Sequence, residues 1–165
     1  MNIPDQTSFA ALYQKRHKQA WIEHLRGLGF NVALTLSWNG SRPLDIAKTH
    51  LRTINRTVDH KLLGCRFNMK SKAERPLAVF IFEGLGPGGH LHAHSLWRLR
   101  KPKDLLQFAR LFPGERGGSW NRIVRSGSYK LDLVDDPVVF AGYALKAQHI
   151  WSDDQEMIWS DEFYK

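Results

Sequence analysis

The chain has little of what marks several common protein classes. Its 165 residues include one cysteine, Cys65, so neither an internal disulfide nor a cysteine-based zinc site can form within it. Residues 1–20 are polar and lack the apolar segment of a signal peptide, and no apolar run approaches the roughly 18 residues of a membrane span. We therefore expect a cytoplasmic protein without a membrane partner, and Cys65 as a small buried residue.

Acidic residues are scarce in the first half of the chain. Residues 1–82 contain 13 Lys and Arg against 5 Asp and Glu, whereas residues 83–165 contain 11 of each. The basic excess is densest from Arg42 to Arg75, with nine bases and three acids. Such a surface favours a polyanionic partner. We expect a nucleic-acid backbone along this side, with Arg42, Arg52 and Arg56 among the contacts and Arg98 as a further one.

Apolar periodicity predicts a single α+β domain over residues 1–165. It comprises a core at about 30–150, preceded by a helix at 8–28 and followed by an acidic tail at about 153–165. Within the core, strands are predicted at 32–38, 77–83, 90–99, 120–125 and 129–134, and helices at 43–63, 103–112 and 137–148. This order fits a mainly antiparallel sheet with flanking helices, of the ferredoxin-like or RRM-like kind.

The stretch His90-Leu91-His92-Ala93-His94 has the alternation of a strand with three imidazoles on one face. A glycine-rich turn separates it from Glu83, which ends the preceding apolar strand, so a hairpin would bring the carboxylate close to the histidines. Two imidazoles and a carboxylate, with coordination positions left for substrate or water, suit Mn²⁺ or Mg²⁺ in a catalytic site.

One of the four tyrosines, Tyr143, is followed three residues later by Lys146 in a predicted helix. Residues three apart share a helix face, so the ammonium group would lie beside the phenol. There it could favour the phenolate or hold a phosphate. A metal beside a basic surface suggests phosphoryl transfer, and transfer requires a nucleophile from the protein. Tyr143 is the candidate for that nucleophile.

Three motifs of this chain resemble those of the HUH endonucleases and occur in the same order along the sequence. His92-Ala93-His94 resembles the histidine–hydrophobic–histidine motif, and Tyr143-Ala144-Leu145-Lys146 resembles the YxxK motif that follows it. The strand Val32-Ala33-Leu34-Thr35-Leu36 resembles the first motif of that family. Over about residues 30–150 the chain is similar to a single-tyrosine initiator of rolling-circle replication.

The resemblance implies a metal-dependent enzyme that nicks and joins single-stranded DNA at an origin hairpin of a plasmid, phage or similar element. Tyr143 would become linked to a 5′-phosphate, and the strand containing Thr35 would support the site and position DNA. We expect Trp38, beside that strand, to stack on unpaired bases. Alternatives are a transposase or relaxase with the same chemistry, or a non-catalytic, basic RRM-like module that binds nucleic acid.

Two features depart from the family pattern. Three alternating histidines leave two frames open, His92 with His94 or His90 with His92. We favour the first, with Glu83 as the third ligand and His90 as its competitor. In addition, no phosphate-binding GxxxxGK[ST] loop is present, so we expect no helicase domain here. Either a separate host helicase is a partner, or the chain is an isolated nuclease domain.

Overall fold

The computed structural model describes residues 6–85, 88–114, 117–134, 136 and 157–164. The described helices are α1 (Gln6–Gly27), α2 (Leu44–Leu63), α3 (Pro102–Ala109) and α4 (Gly118–Ile123), and short 3₁₀ turns span Phe67–Met69 and Ser160–Tyr164. The described strands are β1 (Val32–Ser37), β2 (Leu77–Glu83), β3 (His92–Arg98), β4 (Ser128–Leu133) and β5 (Met157–Trp159).

The strands form one sheet in the order β4-β1-β3-β2-β5, and each neighbouring pair is antiparallel. The first four strands in chain order occupy the positions β4-β1-β3-β2, with α2 between β1 and β2 and with α3 and α4 between β3 and β4. That is the ferredoxin-like arrangement, so the predicted α+β class with a mainly antiparallel sheet is confirmed. β5 adds a fifth strand outside β2.

The two faces of the sheet differ because side chains alternate along each strand. One face packs against α2, α3 and α4 in a core that includes Leu34, Phe80 and Trp97. We call the opposite surface the site face. Part of it is apolar and packs against the end of α1, with Ala33, Val79 and Leu96 in one cluster with Leu25. The rest of the site face is polar, and it carries the candidate site.

Two of the predicted elements differ from the structure. The predicted strand at 120–125 is wrong, because α4 occupies that region and buries Trp120 completely. The predicted acidic tail is in part integrated into the fold. Within it, β5 pairs with β2, and Ile158 is buried in the core. Cys65 is exposed, contrary to expectation. The predicted helix at 137–148 lies outside the described residues.

Within the described part of the chain, no helix combines the length and the apolar character needed to cross a membrane.

Candidate metal centre

Glu83, His92 and His94 come together on the polar part of the site face. The register of the β2–β3 pair sets Glu83 opposite His92 and Ile81 opposite His94. Since His92 and His94 are two residues apart on β3, both side chains lie on the same face of the sheet as the Glu83 side chain. The hairpin and the histidine alternation therefore produce the three-residue cluster that the sequence predicts.

A single carboxylate oxygen faces both imidazoles. Oε2 of Glu83 lies 2.8 Å from Nε2 of His92 and 3.0 Å from Nε2 of His94. One potential ligand atom from each of the three residues lies within 4.8 Å of the others. Neighbouring ligands on metal bonds of about 2.1 Å are separated by roughly 3 Å when those bonds meet at a right angle. The two nitrogen–oxygen distances fit that separation.

The hydrogen bond at Nδ1 of His92 determines whether Nε2 carries a proton in the neutral ring. Nδ1 lies 2.9 Å from the backbone carbonyl oxygen of His90, and a carbonyl only accepts hydrogen bonds. Nδ1 therefore carries the proton, and in the neutral ring Nε2 presents its lone pair to the Glu83 carboxylate. Two acceptors at 2.8 Å need a cation between them, either a proton or a metal ion. A metal ion would satisfy both and leave the imidazole neutral.

His94 has a comparable outer contact and is more deeply buried. Its Nδ1 lies 3.0 Å from Oγ1 of Thr35 on the neighbouring strand β1, and only 5 % of the residue is exposed. Burial lowers the pKa of His94 below its ordinary value, although the Glu83 carboxylate acts in the opposite direction. Burial therefore favours the neutral imidazole, which is the form that binds metals.

The donor set of this cluster fits a divalent metal ion. Two imidazole nitrogens and one carboxylate are too few to close a structural zinc site, which usually has four protein ligands. Such a set leaves coordination positions for water or substrate oxygen, and it is compatible with Mn²⁺ or Mg²⁺. His90 lies outside the cluster. Its side chain precedes β3 and is exposed, and its backbone carbonyl, rather than its imidazole, contacts the site.

Gly84 allows the His90 carbonyl to reach His92. Gly84 follows β2 with φ of 78°, a left-handed conformation that glycine adopts at little cost. A Cβ atom at this position would collide with the carbonyl oxygen and carbon of His90. The close backbone approach across the turn therefore depends on the missing side chain, and the hydrogen bond that orients His92 depends on that approach.

Further polar side chains extend the site across β1 and β4. Ser37 lies opposite His92 and Ser128 opposite Ser37, so Glu83, His92, Ser37 and Ser128 form one row across four strands. Both serine hydroxyls donate to Oδ1 of Asn39, at 2.8 and 3.1 Å. Sequence reasoning missed this serine row, because the only signal for it is the pairing register of β1 with β3 and β4.

Lys130 belongs to the neighbouring row of the site face. It lies opposite Thr35, which in turn lies opposite His94. Its side chain is 75 % exposed, and its Nζ lies 3.0 Å from Oδ2 of Asp132. Lys130 was not among the residues predicted to contact DNA. It nevertheless lies in the same row of the sheet as His94, which belongs to the cluster of Glu83, His92 and His94.

The prediction that Trp38 stacks on DNA bases is wrong. Trp38 is fully buried in the core beneath the helices, with its ring at right angles to that of Trp120. Its Nε1 donates to Nδ1 of His50 at 2.9 Å. Burial, followed by the positive charge of Arg42, lowers the pKa of His50, in keeping with an imidazole that accepts this hydrogen bond. Trp38 thus joins β1 to α2 and has no free face for a base.

The predicted arginine contacts are not gathered around the metal cluster. Arg52 and Arg56 are exposed on α2, which packs on the opposite face of the sheet, and Arg42 is exposed just before that helix. Arg98 is on β3, six residues from His92, or about 20 Å along a strand. Its Nη1 donates to the carbonyl of Leu28 at 3.4 Å. Thr35, in contrast, contacts the cluster directly.

Tyr143 and Lys146 lie outside the described residues, so their roles stay predictions. No protein-family model, curated protein or solved structure matches this chain. The interpretation of the site therefore rests on its own geometry and on the motifs in its sequence.

Proposed function

We propose that this protein is a metal-dependent enzyme that nicks and joins single-stranded DNA through a covalent phosphotyrosine, as the HUH initiators of rolling-circle replication do. The observation that carries the proposal is the convergence of both His-x-His imidazoles on one oxygen of Glu83. The cluster lies on a sheet face away from the main helices. A single-stranded substrate can be laid across such a surface without opening a closed pocket.

Each member of the cluster has a definite task in this proposal. Glu83, His92 and His94 hold the ion, and Thr35 and the His90 carbonyl orient the two imidazoles. A bound Mn²⁺ or Mg²⁺ supplies a Lewis acid for a phosphate oxygen of the substrate. The serine row and Lys130 provide hydroxyl groups and one positive charge on the same face, which suits contacts to the sugar–phosphate backbone.

The proposed covalent step uses Tyr143. Its phenolic oxygen attacks the phosphorus of a DNA phosphodiester and loses its proton to solvent or to a base, while the bond from phosphorus to the 3′ oxygen breaks. The 3′ oxygen takes up a proton and leaves as a hydroxyl, and the 5′-phosphate stays on the tyrosine. Attack by a 3′-hydroxyl reverses the step and joins two ends without an energy cofactor. Lys146 would favour the phenolate or hold the phosphate.

The test is covalent capture of DNA. The protein is incubated with a pool of labelled single-stranded oligonucleotides and Mn²⁺, and adducts are separated on a denaturing gel. We expect an adduct that disappears with a chelator, with Tyr143→Phe and with His92→Ala. Tyr13→Phe is the matched control, because it removes a different phenol from the same chain, and we expect it to form the adduct.

The remaining outcomes distinguish the alternatives. An adduct with Tyr143→Phe would overturn the assignment of the nucleophile. DNA binding without any adduct or cleavage would favour a binding module, and the metal cluster would then have another role. Joining of two oligonucleotides at a defined sequence would favour replication or transposition over simple hydrolysis, because hydrolysis leaves free ends. The sequences cut from the pool would give the recognition sequence of the enzyme.

A further inference from the structure

We propose that a second site, remote from the metal cluster, binds a phosphate group through Arg75 and Arg98. It is a pocket of about 260 Å³ where residues 72–77 and the end of β3 meet the 3₁₀ turn Ser160–Tyr164. We call it the arginine pocket, and its charged and polar lining residues are Lys72, Arg75, Arg98, Ser160, Asp161 and Tyr164.

Arg75 and Arg98 both keep free hydrogen-bond donors at this pocket. One Nη atom of each guanidinium group has a backbone partner, Nη2 of Arg75 and Nη1 of Arg98. The second Nη atom of each group is not buried and has no hydrogen-bond partner among the described residues, whereas both Nε atoms are buried. A ligand that accepts hydrogen bonds from these Nη atoms therefore fits the pocket. The guanidinium group is always charged, so the ligand that fits is an anion.

Both guanidinium groups are held in place before any ligand arrives. Arg75 stacks on the Tyr164 ring, with its Cζ 4.1 Å from the ring centroid, and its Nη2 donates to the carbonyl of Asn68 at 2.9 Å. Arg98 donates to the carbonyl of Leu28. Because their side chains are already ordered, little conformational entropy is lost when they bind an anion. Arginine also matches phosphate geometry with two parallel hydrogen bonds.

The remaining lining residues support an anion of modest size. Ser160 is 4 % exposed, and its Oγ accepts from the Ala78 backbone N–H at 2.9 Å. Lys72 adds a third positive charge, although its Nζ lies 2.8 Å from Oδ2 of Asp161. Three cations and one carboxylate leave the lining positive. The volume accommodates a phosphate group together with part of what it is attached to, such as a sugar.

Nuclear magnetic resonance of the ¹⁵N-labelled full chain tests this proposal directly. Inorganic phosphate is titrated in the presence of EDTA, so that no metal ion contributes. We expect the side-chain Nε–H signals of Arg75 and Arg98 to shift together and to saturate. Arg98→Gln should weaken phosphate binding roughly tenfold or more, because a hydrogen bond to a charged group is lost. Lys72→Gln should weaken it about threefold, as befits an exposed charge.

Matched controls and competing ligands complete the experiment. Arg110→Gln removes an exposed arginine at the end of α3 and should leave phosphate binding unchanged. A deoxynucleoside monophosphate and an oligothymidylate without terminal phosphates distinguish a free nucleotide from a DNA backbone as the source, and tighter binding of either supports the site.

Two results would overturn the proposal. One is a set of arginine signals that do not move with any of the three ligands. The other is equal affinity of all three ligands for Arg98→Gln, Lys72→Gln and Arg110→Gln. Because Lys72 is exposed, its variant remains informative if Arg98→Gln does not fold. Neither result depends on DNA cleavage, so the arginine pocket and the proposed nuclease activity can fail separately.

Discussion

Oγ1 of Thr35 lies 3.0 Å from Nδ1 of His94, across the antiparallel pair β1–β3. This contact joins the apolar strand that contains Thr35 to the His92-Ala93-His94 motif. It makes Thr35 a residue that orients His94, which its position on a strand alone does not predict. It holds the imidazole so that Nε2 faces Glu83. Outer contacts of this kind influence metal affinity almost as strongly as the ligands themselves.

Replacing Thr35 with valine should weaken metal binding. Valine has nearly the shape of threonine but cannot hydrogen-bond to His94, so we expect the affinity for Mn²⁺ to fall by about 10- to 100-fold. Isothermal titration calorimetry measures the change. Thr53→Val, on the exposed side of α2, is the control and should bind Mn²⁺ like the wild type. Equal affinities for the two variants would contradict a positioning role for Thr35.

The two histidine frames make opposite predictions for a pair of alanine variants. His94→Ala removes a candidate ligand atom of the favoured frame, so it should abolish the thermal stabilisation that Mn²⁺ gives the wild type, about 2.7 kcal/mol at a hundred times the dissociation constant. His90→Ala keeps the backbone carbonyl that contacts His92 and should retain that stabilisation. The readout is the melting temperature with and without Mn²⁺. The reverse pattern would favour the frame His90 with His92.

Gly84→Ala should lower the affinity for Mn²⁺, although Gly84 is not itself a candidate ligand. The added Cβ would collide with the His90 carbonyl and displace the acceptor that orients His92. Gly88→Ala is a matched control, because Gly88 has a similar φ of 76° but no atom within 4 Å of the added Cβ. Both variants bear the strain of a left-handed alanine, and only Gly84→Ala should also lose Mn²⁺ affinity. Calorimetric titration of both variants separates the two effects.

The buried carboxyl of Asp59 should make stability depend on pH. Burial raises its pKa to about 6 from an ordinary value of 3.8, although the Tyr164 hydroxyl and Arg75 act in the opposite direction. The folded protein therefore binds this proton more tightly than the unfolded chain does. The contribution of Asp59 to stability is complete below about pH 4 and is lost as the pH rises through about 6, on the order of 3 kcal/mol.

Asp59→Asn isolates this contribution from that of other titrating groups. Urea unfolding of both proteins between about pH 4 and pH 7 should give a free-energy difference that changes in favour of Asp59→Asn as the pH rises. Other groups titrate equally in both proteins and cancel in the difference. Parallel stability curves would mean that Asp59 does not titrate in this range.

Trp38 should be essential for stability. It is fully buried, packs against Trp120 and donates to His50, so Trp38→Ala should lower the free energy of unfolding by about 3 to 5 kcal/mol. Met69→Ala truncates a residue that is 77 % exposed and should change it by less than about 0.5 kcal/mol. Urea unfolding provides both values. A small effect at Trp38 would contradict its assignment to the core.

Much of the fold and the convergence of Glu83, His92 and His94 could be predicted from the sequence, because both depend on local periodicity. Alternating histidines define a strand face, and a short glycine-rich turn makes Glu83 the neighbour of that strand. His90 departs from the simple alternation because β3 begins at His92, where pairing with Glu83 starts. The residue at which β3 begins depends on the register of the hairpin, and the alternation of histidines alone does not predict that register.

The errors concern residues whose environment is set by distant parts of the chain. The stretch from Trp120 combines an aromatic and β-branched residues, which favour a strand. It forms α4 because the helix buries Trp120 against Trp38, more than 80 positions earlier in the sequence. Trp38 was expected to stack on unpaired bases, and its burial depends on the same distant contact with Trp120. β5 was missed because its three residues are too few for a periodic signal.

β5 has a consequence for self-association. It pairs with Val79, Phe80 and Ile81 of β2, a seven-residue apolar strand whose free edge would be a template for strands of other molecules. By covering part of this edge, residues 157–164 protect β2 from pairing with other molecules, although they contribute few residues to the core. A chain lacking them would be expected to form intermolecular β-structure at concentrations where the intact protein stays monodisperse, a difference that light scattering would detect.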